Sequence, residues 1–598
     1  MSRQVLRQGQ LTTTYGPGAM LDLPDEAVIV AGLEHWSYSQ EQPTRVDEPR
    51  LLAKVQHALG RQDLHLQLPP VSRDQAVGQG PNITVWKFPN WFVSQHVVST
   101  SRGYRRRRLL SHLGLDGGKH RDADNKKHSV VPVRFVRACE RGHVGDIDWK
   151  SFVHGTTESA CVRDLWIEER GTSGDLDEIW IACDCGAEHA MSRAARTSLE
   201  ALGRCNGARP WLGAGTRERC GLLNRLLIRS ASNAYFPQLL SVISIPDRRS
   251  ALDEVVRRNW ESGLKLVTDA AGLTLVKQLG PIAVALQGLS DDQVLASIQR
   301  VRSGTNELNR SVKEVEFEAL SSVDGESGAD VPEGAFFARA LSELQWKAEW
   351  LKGLQRVVLV HRLQEVVAQI GFTRFEAQGA DVNGDLDLDV ERAALAIDSN
   401  WIPAIINRGE GIFLQFDTAA VNEWMQRPAV MQRAAQLQQS FQHWREAHPR
   451  TRREFPGVAY YMLHSLSHLL MTAISLECGY PASSLRERVY ALPTLGMYGI
   501  LILTGASDAE GTLGGLVLAG RDIRRHLRRA LESGTLCSND PVCAGHGESR
   551  YDGLELVGAA CHGCLLVSET SCEQRNDFLD RALVVPTVSG HGAEFFAL

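Results

Sequence analysis

The pattern of apolar and polar residues changes period several times along the chain, and each change predicts a different kind of element. Up to about residue 135 the apolar residues fall in short runs broken by Gly and Pro, the pattern of mixed short strands and loops. That region ends in the β-branched run 130–136, which predicts a strand. Before it, the polar stretch 116–128 has no apolar periodicity and reads as an exposed loop. Ile179–Cys183 predicts a second short strand. From about 231 to 455 the spacing turns largely helical, with loops over 321–330 and 378–389. Within it Trp346, Trp350, Leu354, Val357 and Val358, continuing to Leu363, share one helical face and predict a core-packing stripe. The stretch 458–476 is uncharged, but His464, His468 and three serines make it a buried helix rather than a membrane span. Residues 498–504 predict a further strand. The class is α+β and multidomain, in four segments: a mixed region 1–135, a Cys/His-rich region 136–230, a mainly helical region 231–455 and a C-terminal domain 456–598.

Length and charge narrow the picture. At 598 residues the chain has room for roughly four domains of about 150 residues. Its 43% hydrophobic and 23% charged residues are those of an ordinary globular protein. A net charge of -6 gives no bulk attraction to nucleic acid, so any DNA contact falls to local patches. Two stand out: Arg105, Arg106, Arg107 and Arg108 beside Tyr104, and Arg521, Arg524, Arg525 and Arg528, whose spacing puts them on one helix face. Each is either a contact for DNA or a partner, or a solvated face. The N-terminus, Met-Ser-Arg-Gln, shows no apolar signal segment, so a cytoplasmic location is expected.

Twelve cysteines are too few for a disulfide scaffold in a chain this long, and all but Cys478 fall in two clusters, which in a reducing cytoplasm points to metal. In the C-terminal cluster, Cys561-His-Gly-Cys564 offers two thiolates from one turn, Cys572 a third, and Cys537 or Cys543 a fourth, leaving open which four of the five bind Zn²⁺. In the first cluster Cys183 and Cys185, with Cys205 and Cys220, make one quartet; Cys139, His143, His154 and Cys161 are either a second set or satisfied core residues. Cys139 or Cys161 could also replace a later cysteine in the Cys183 site. Two structural zinc ions are expected. His464 and His468 share a helix face, yet no Glu follows His464 as a His-Glu-x-x-His protease site requires, so buried hydrogen-bonded histidines are expected there. The acidic run 381–389 lacks the Gly and Glu of a calcium loop, having Leu386 and Arg392 in their places. The glycine turn 511–515 lacks the Lys-Ser of a phosphate cradle. No Gly-x-x-x-x-Gly-Lys-Ser/Thr loop occurs, and none of the Asp-Glu pairs at 25, 47, 177 and 253 forms a helicase acidic box, so ATP hydrolysis of the P-loop kind is not expected.

Several blocks resemble known families. Ala-Cys-His-Gly-Cys-Leu-Leu at 560–566, a cysteine eight residues beyond Cys564, then Asn576 and Leu579-Asp580-Arg581, resemble the four-cysteine zinc domain that follows the motor in one family of superfamily-2 DNA helicases. The N-terminal block Arg7-Gln-Gly-Gln-Leu-Thr-Thr-Thr-Tyr-Gly-Pro-Gly-Ala-Met-Leu-Asp-Leu-Pro24, with Val-Pro-Val-Arg-Phe-Val at 131–136 and Arg-Ser-Ala-Ser-Asn-Ala-Tyr-Phe at 229–236, resembles the DrmB family of the bacterial antiphage system DISARM. The resemblance implies a companion to a separate DNA helicase, DrmA, that meets DNA through the complex, touches no membrane and is not itself an enzyme. Two other readings compete: a zinc-dependent nuclease using Cys139, His143 and His154 with an open coordination position, and a scaffold that touches only proteins.

Overall fold

In this computed structural model, which describes residues 6–23, 26–38, 44–70, 82–155, 160–245, 248–303, 310–331, 334–376, 391–449, 451, 453–505, 514–546 and 555–597, two sheets hold most of the strands. Residues 91–228 supply β1 (Trp91–Ser99), β2 (Arg105–Ser111), β3 (Val130–Pro132), β4 (Phe135–Ala138), α1 (Trp149–His154), β5 (Leu165–Glu169), β6 (Ile179–Cys183), β7 (Glu188–Ala190) and β8 (Arg225–Ile228). Six of these form an antiparallel sheet in the order β3-β1-β2-β5-β6-β7. The strand expected over 130–136 is two strands: Pro132, which has no N–H to donate, closes β3, and β4 leaves to pair with β8 in another sheet. The stretch 116–128 is also more than a loop. His120–Arg121 pairs with Lys127–His128 in a hairpin, turning through Asn125 at a φ of 66°, and His120 is buried with Nδ1 2.8 Å from the Ser94 hydroxyl.

The second sheet is built on two long strands. Its parts are β9 (Phe236–Ile243), β10 (Leu354–Thr373), β11 (Trp401–Phe416), β12 (Leu485–Leu492) and β13 (Met497–Thr504), with helices α2 (Pro428–Ala447), α3 (Val458–Cys478), α4 (Gly515–Arg521) and α5 (Ile523–Gly534) between and after them. The order runs Glu326–Gly328, Phe336–Ala340, β10, β11, β13, β12. At 20 residues β10 serves two neighbours, Phe336–Ala340 along its first half and β9 along its second. β11 likewise pairs with β13 at one end and, in parallel, with His65–Gln67 at the other. One sheet thus joins segments from 65 to 504 and crosses the boundaries drawn between sequence regions.

The helical stripe predicted from Trp346 to Leu363 is corrected by β10. Glu343–Trp346 and Glu349–Leu351 form short helical turns there, and from Leu354 onward the backbone is extended. Val357, Val358, Val360, Val366 and Val367 are all buried because both faces of the sheet are covered, which erases the alternation that marks a half-exposed strand. Their branched side chains favour the pleated backbone. Helices do fill much of the rest of this region, including Arg248–Arg258, Asp291–Ser303 and Val312–Ser321, so the α+β class holds.

α3 is the buried helix that its composition predicts, with Tyr460, Leu463, His464, Leu466, His468 and Leu470 all buried between the sheet and α5. Among the described residues no helix is long and apolar enough to cross a membrane. The acidic run 381–389 and the start of the glycine turn at 511–513 lie outside the described residues.

Gly409 lets β11 and β13 close on one another: a Cβ there would sit 1.7 Å from the Thr504 carbonyl oxygen. A Gly409→Ala variant is therefore expected to lose about 1–3 kcal/mol, read as a lower urea midpoint. A midpoint equal to the parent's would show that the strands do not approach so closely.

Candidate metal centres

Four quartets of ligand-bearing side chains converge, each with its ligand atoms all within 4.8 Å of one another. The first begins where β4 ends. Cys139 leads into a tight turn, with Gly142 N–H donating to the Cys139 carbonyl at 2.9 Å, and the turn returns His143 beside it. Cys205 and Cys220 come from an irregular hairpin. Gly207, at a φ of 69°, permits its turn, since a Cβ there would lie 1.7 Å from the Glu218 carbonyl. His143 Nδ1 lies 3.3 Å from Cys139 Sγ and 3.5 Å from Cys205 Sγ, while its Nε2 is 2.7 Å from the Glu218 carboxylate. That carboxylate fixes the tautomer and turns the Nδ1 lone pair toward the thiols, the outer-shell arrangement of a histidine metal ligand.

The second quartet is His154, Cys161, Cys183 and Cys185. His154 closes α1, where Nδ1 donates to the Lys150 carbonyl at 2.8 Å and leaves Nε2 facing Cys185 Sγ at 3.3 Å. β6 delivers Cys183, whose Sγ is 3.6 Å from that of Cys161. All eight residues singled out from the sequence here thus find ligand-rich surroundings, but in a different grouping. Cys183 and Cys185 do not join Cys205 and Cys220. Instead the outer pairs, 139/143 and 205/220, enclose the inner ones, 154/161 and 183/185. The grouping separates His154 from Cys139 and His143, so the three-ligand open site of the nuclease reading does not form.

The third quartet follows α5 and consists of Cys537, Cys543, Cys561 and Cys564. Its sulfur–sulfur distances of 3.4 Å (537–561), 3.7 Å (543–564) and 3.7 Å (561–564) match the edge of roughly 3.7 Å that a tetrahedron of Zn–S bonds requires. Backbone N–H groups of Asn539 and Gly563 point at Cys537 and Cys561 sulfurs at 3.4 and 3.3 Å. The fifth C-terminal cysteine, Cys572, lies elsewhere. Its Sγ is 3.1 Å from His464 Nε2, in a fourth group with His468 and Glu487. Sequence reasoning misses Glu487, although Leu485, Glu487 and Val489 alternate inward along β12 and so place a carboxylate in the core. A smaller group, His96, Asp122 and His128, is only half-buried.

The thiols titrate as pairs. Hydrogen bonding to Cys139 brings Cys205 down to about 4, and the same contact, with burial, drives Cys139 far up. Cys564 is brought down to about 5 by Cys543, which rises in turn. In the inner quartet burial pushes Cys183 up to about 12, while the Ala187 N–H and then Cys183 lower Cys185 to about 6. Packed thiolates repel, and without a cation each pair must keep a proton; a dication takes over that role.

The basic patches differ. On β2, Arg106 pairs with Asp184 at 3.2 Å, Arg107 with Glu169 and Arg108 with Asp164, and the Arg106 guanidinium covers the Trp166 ring at 4.0 Å. Three of the four arginines are thus already neutralised on their own sheet. Arg521 ends α4, whereas Arg524, Arg525 and Arg528 lie on α5, so the four do not share one helix. Arg524, Arg525 and Arg528 are all exposed; Arg525 pairs with Glu477, and Arg528 lies 3.8 Å from Glu532 and 5.5 Å from the Trp350 ring.

Residues 7–236, which contain both nested quartets, match a family described as a domain of unknown function (DUF8724), and residues 466–565, which contain the third, match the MrfA Zn-binding domain. The DISARM protein DrmB of Bacillus paralicheniformis is 30% identical over 535 residues, which cover 85% of this chain and 90% of that protein. The matched zinc domain and its four-cysteine cluster support zinc binding.

If Cys183 and Cys205 hold separate ions, the double variant Cys183→Ser/Cys205→Ser should lose about two zinc equivalents and each single variant about one; equal losses in single and double variants would restore a single quartet. Because binding displaces the protons held by Cys139, Cys183 and Cys543, zinc affinity should rise with pH between about 6 and 8, measured by chelator competition. A flat profile would mean that no thiol proton leaves.

Proposed function

The chain belongs to the DrmB family of the DISARM antiphage defence system, and from that premise we propose that it is a non-motor subunit which docks on a partner DNA helicase and helps it engage or process foreign DNA. The reading rests on one observation above the rest: each of the three cysteine-rich quartets offers four protein ligands, so a tetrahedral ion there has no open position for an activated water. Zinc at these quartets, three ions in all, would supply folding energy and hold loops in place rather than perform chemistry. The sequence also lacks a phosphate-gripping loop, which leaves nucleotide hydrolysis to the helicase. The subunit works in the cytoplasm and meets DNA through the complex.

Among the arginines, those of α5 are the better candidates for phosphate or for an acidic surface of the helicase, since those of β2 are largely occupied on their own sheet. Phosphate binding carries a salt signature, with a slope that falls by about one for each phosphate that an arginine no longer neutralises.

The test is ATPase activity and DNA binding of the DrmA-like helicase with and without this chain. The chain alone should be inert and should change the helicase's rate or affinity on mixing. Arg524→Glu/Arg528→Glu should weaken DNA binding by the complex or its assembly, with zinc content unchanged. DNA cleavage by the chain alone would overturn the non-enzymatic reading, and an absence of salt-dependent DNA binding by the complex would favour a scaffold.

A further inference from the structure

The fourth quartet lies partly outside the matched zinc domain, because His464 precedes residue 466 and Cys572 follows residue 565. All of its members are buried: His464 and His468 on α3, Glu487 on β12 and Cys572 on the C-terminal segment.

The two imidazoles are oriented from outside. His464 Nδ1 lies 3.2 Å from the Phe578 carbonyl and His468 Nδ1 lies 2.8 Å from the Leu565 carbonyl. A carbonyl only accepts, so both Nδ1 atoms carry hydrogen, and both Nε2 atoms are left to face inward. Inward they meet a carboxylate and a thiol. Glu487 Oε1 is 2.7 Å from His464 Nε2 and 3.1 Å from His468 Nε2, and Cys572 Sγ is 3.1 Å from His464 Nε2. If the imidazoles are neutral, the His468 Nε2 lone pair points at the Glu487 carboxylate, and a Cys572 S–H can satisfy only His464 Nε2. If they are protonated, the single Nε2–H of His464 has two acceptors within 3.1 Å and can point at only one. A cation at the centre removes the conflict. The outer contacts are also those of ligands: Ser467 Oγ bonds Glu487 Oε2, leaving Oε1 to face the centre, and the Asn576 N–H points at Cys572 Sγ at 3.1 Å, as backbone N–H groups do at Cys537 and Cys561.

We propose that His464, His468, Glu487 and Cys572 form a fourth metal centre, a structural Zn²⁺ site with two nitrogen, one oxygen and one sulfur ligand. The carboxylate and thiolate supply two negative charges, which one divalent ion balances in an interior where an uncompensated charge is not tolerated. The donor set excludes Mg²⁺ and Ca²⁺, which take oxygen ligands, and suits tetrahedral zinc. The ion would tie α3, β12 and the C-terminal segment at one point. This site stands whatever the protein's role in its complex.

The test is an anomalous difference map across the zinc absorption edge on crystals of the full chain purified without chelator, with zinc per chain measured on the same sample. The expected result is a peak bounded by His464 Nε2, His468 Nε2, Glu487 Oε1 and Cys572 Sγ, and four zinc equivalents in all. His468→Gln and Glu487→Gln should each lose one equivalent, and a different one from that lost by Cys543→Ser. No peak at this position beside occupied cysteine quartets overturns the proposal, as does undiminished zinc in folded His468→Gln. Should the variants fail to fold, the map of the parent chain decides.

Discussion

Convergence of thiol and imidazole side chains is the constraint on which the least regular parts of this structure depend. Beyond α5 the described residues contain only the short turn Arg581–Leu583 as regular structure, yet Leu565, Phe578, Leu579, Val584 and Val585 are buried. A segment without a ladder of hydrogen bonds must fix its backbone by other means. Here the Cys537–Cys564 quartet holds one end, and buried ion pairs hold the rest. Arg433, only 2% exposed, donates to Asp580, which is fully buried and accepts in addition from the Ala559 and Ala582 N–H groups. Arg581 likewise reaches Asp540 and the Gly534 carbonyl. Breaking such a pair leaves a buried charge uncompensated, typically a cost of about 3–5 kcal/mol.

A different device connects the N-terminal region to the large sheet. Arg374, at the end of β10, is buried and among the described residues meets no carboxylate; its guanidinium donates to the carbonyls of Gly18, Gly142 and Ala234. Burial lowers it to about 10, still a cation at neutral pH, stabilised by oriented peptide dipoles. Gly142 sits in the turn between Cys139 and His143, so the outer ligand quartet and the N-terminal block around Gly18 rest on the same side chain.

Local patterns are legible in the sequence and partnerships are not. The strand Ile179–Cys183 and the buried helix around His464 can be read because their signals, a short β-branched run and an uncharged stretch of helical length, are contained in the segments themselves. β10 is hidden because burial on both faces removes the alternation that distinguishes a strand from a helix. The cysteines and histidines of the first cluster are identifiable as residues, but spacing alone groups neighbours, whereas β4 and β6 deliver their ligands to different places. Cys572 follows Cys564 in sequence and yet meets His464 on α3 instead of the other four cysteines, while Leu565, beside Cys564, meets His468 one turn further on. Glu487 can be found only by asking what a charge on the inward register of a strand must meet.

The enclosure of one ligand set by the other bears on how the chain assembles. As the polypeptide leaves the ribosome, His154, Cys161, Cys183 and Cys185 are all present before Cys205 or Cys220 has been made. Closing the inner set first shortens the free path between His143 and Cys205, and the entropic cost of joining two points grows with the length of chain between them. Were each set to take an ion, the first captured would ease capture of the second without touching it, and the order of synthesis would become an order of metal loading.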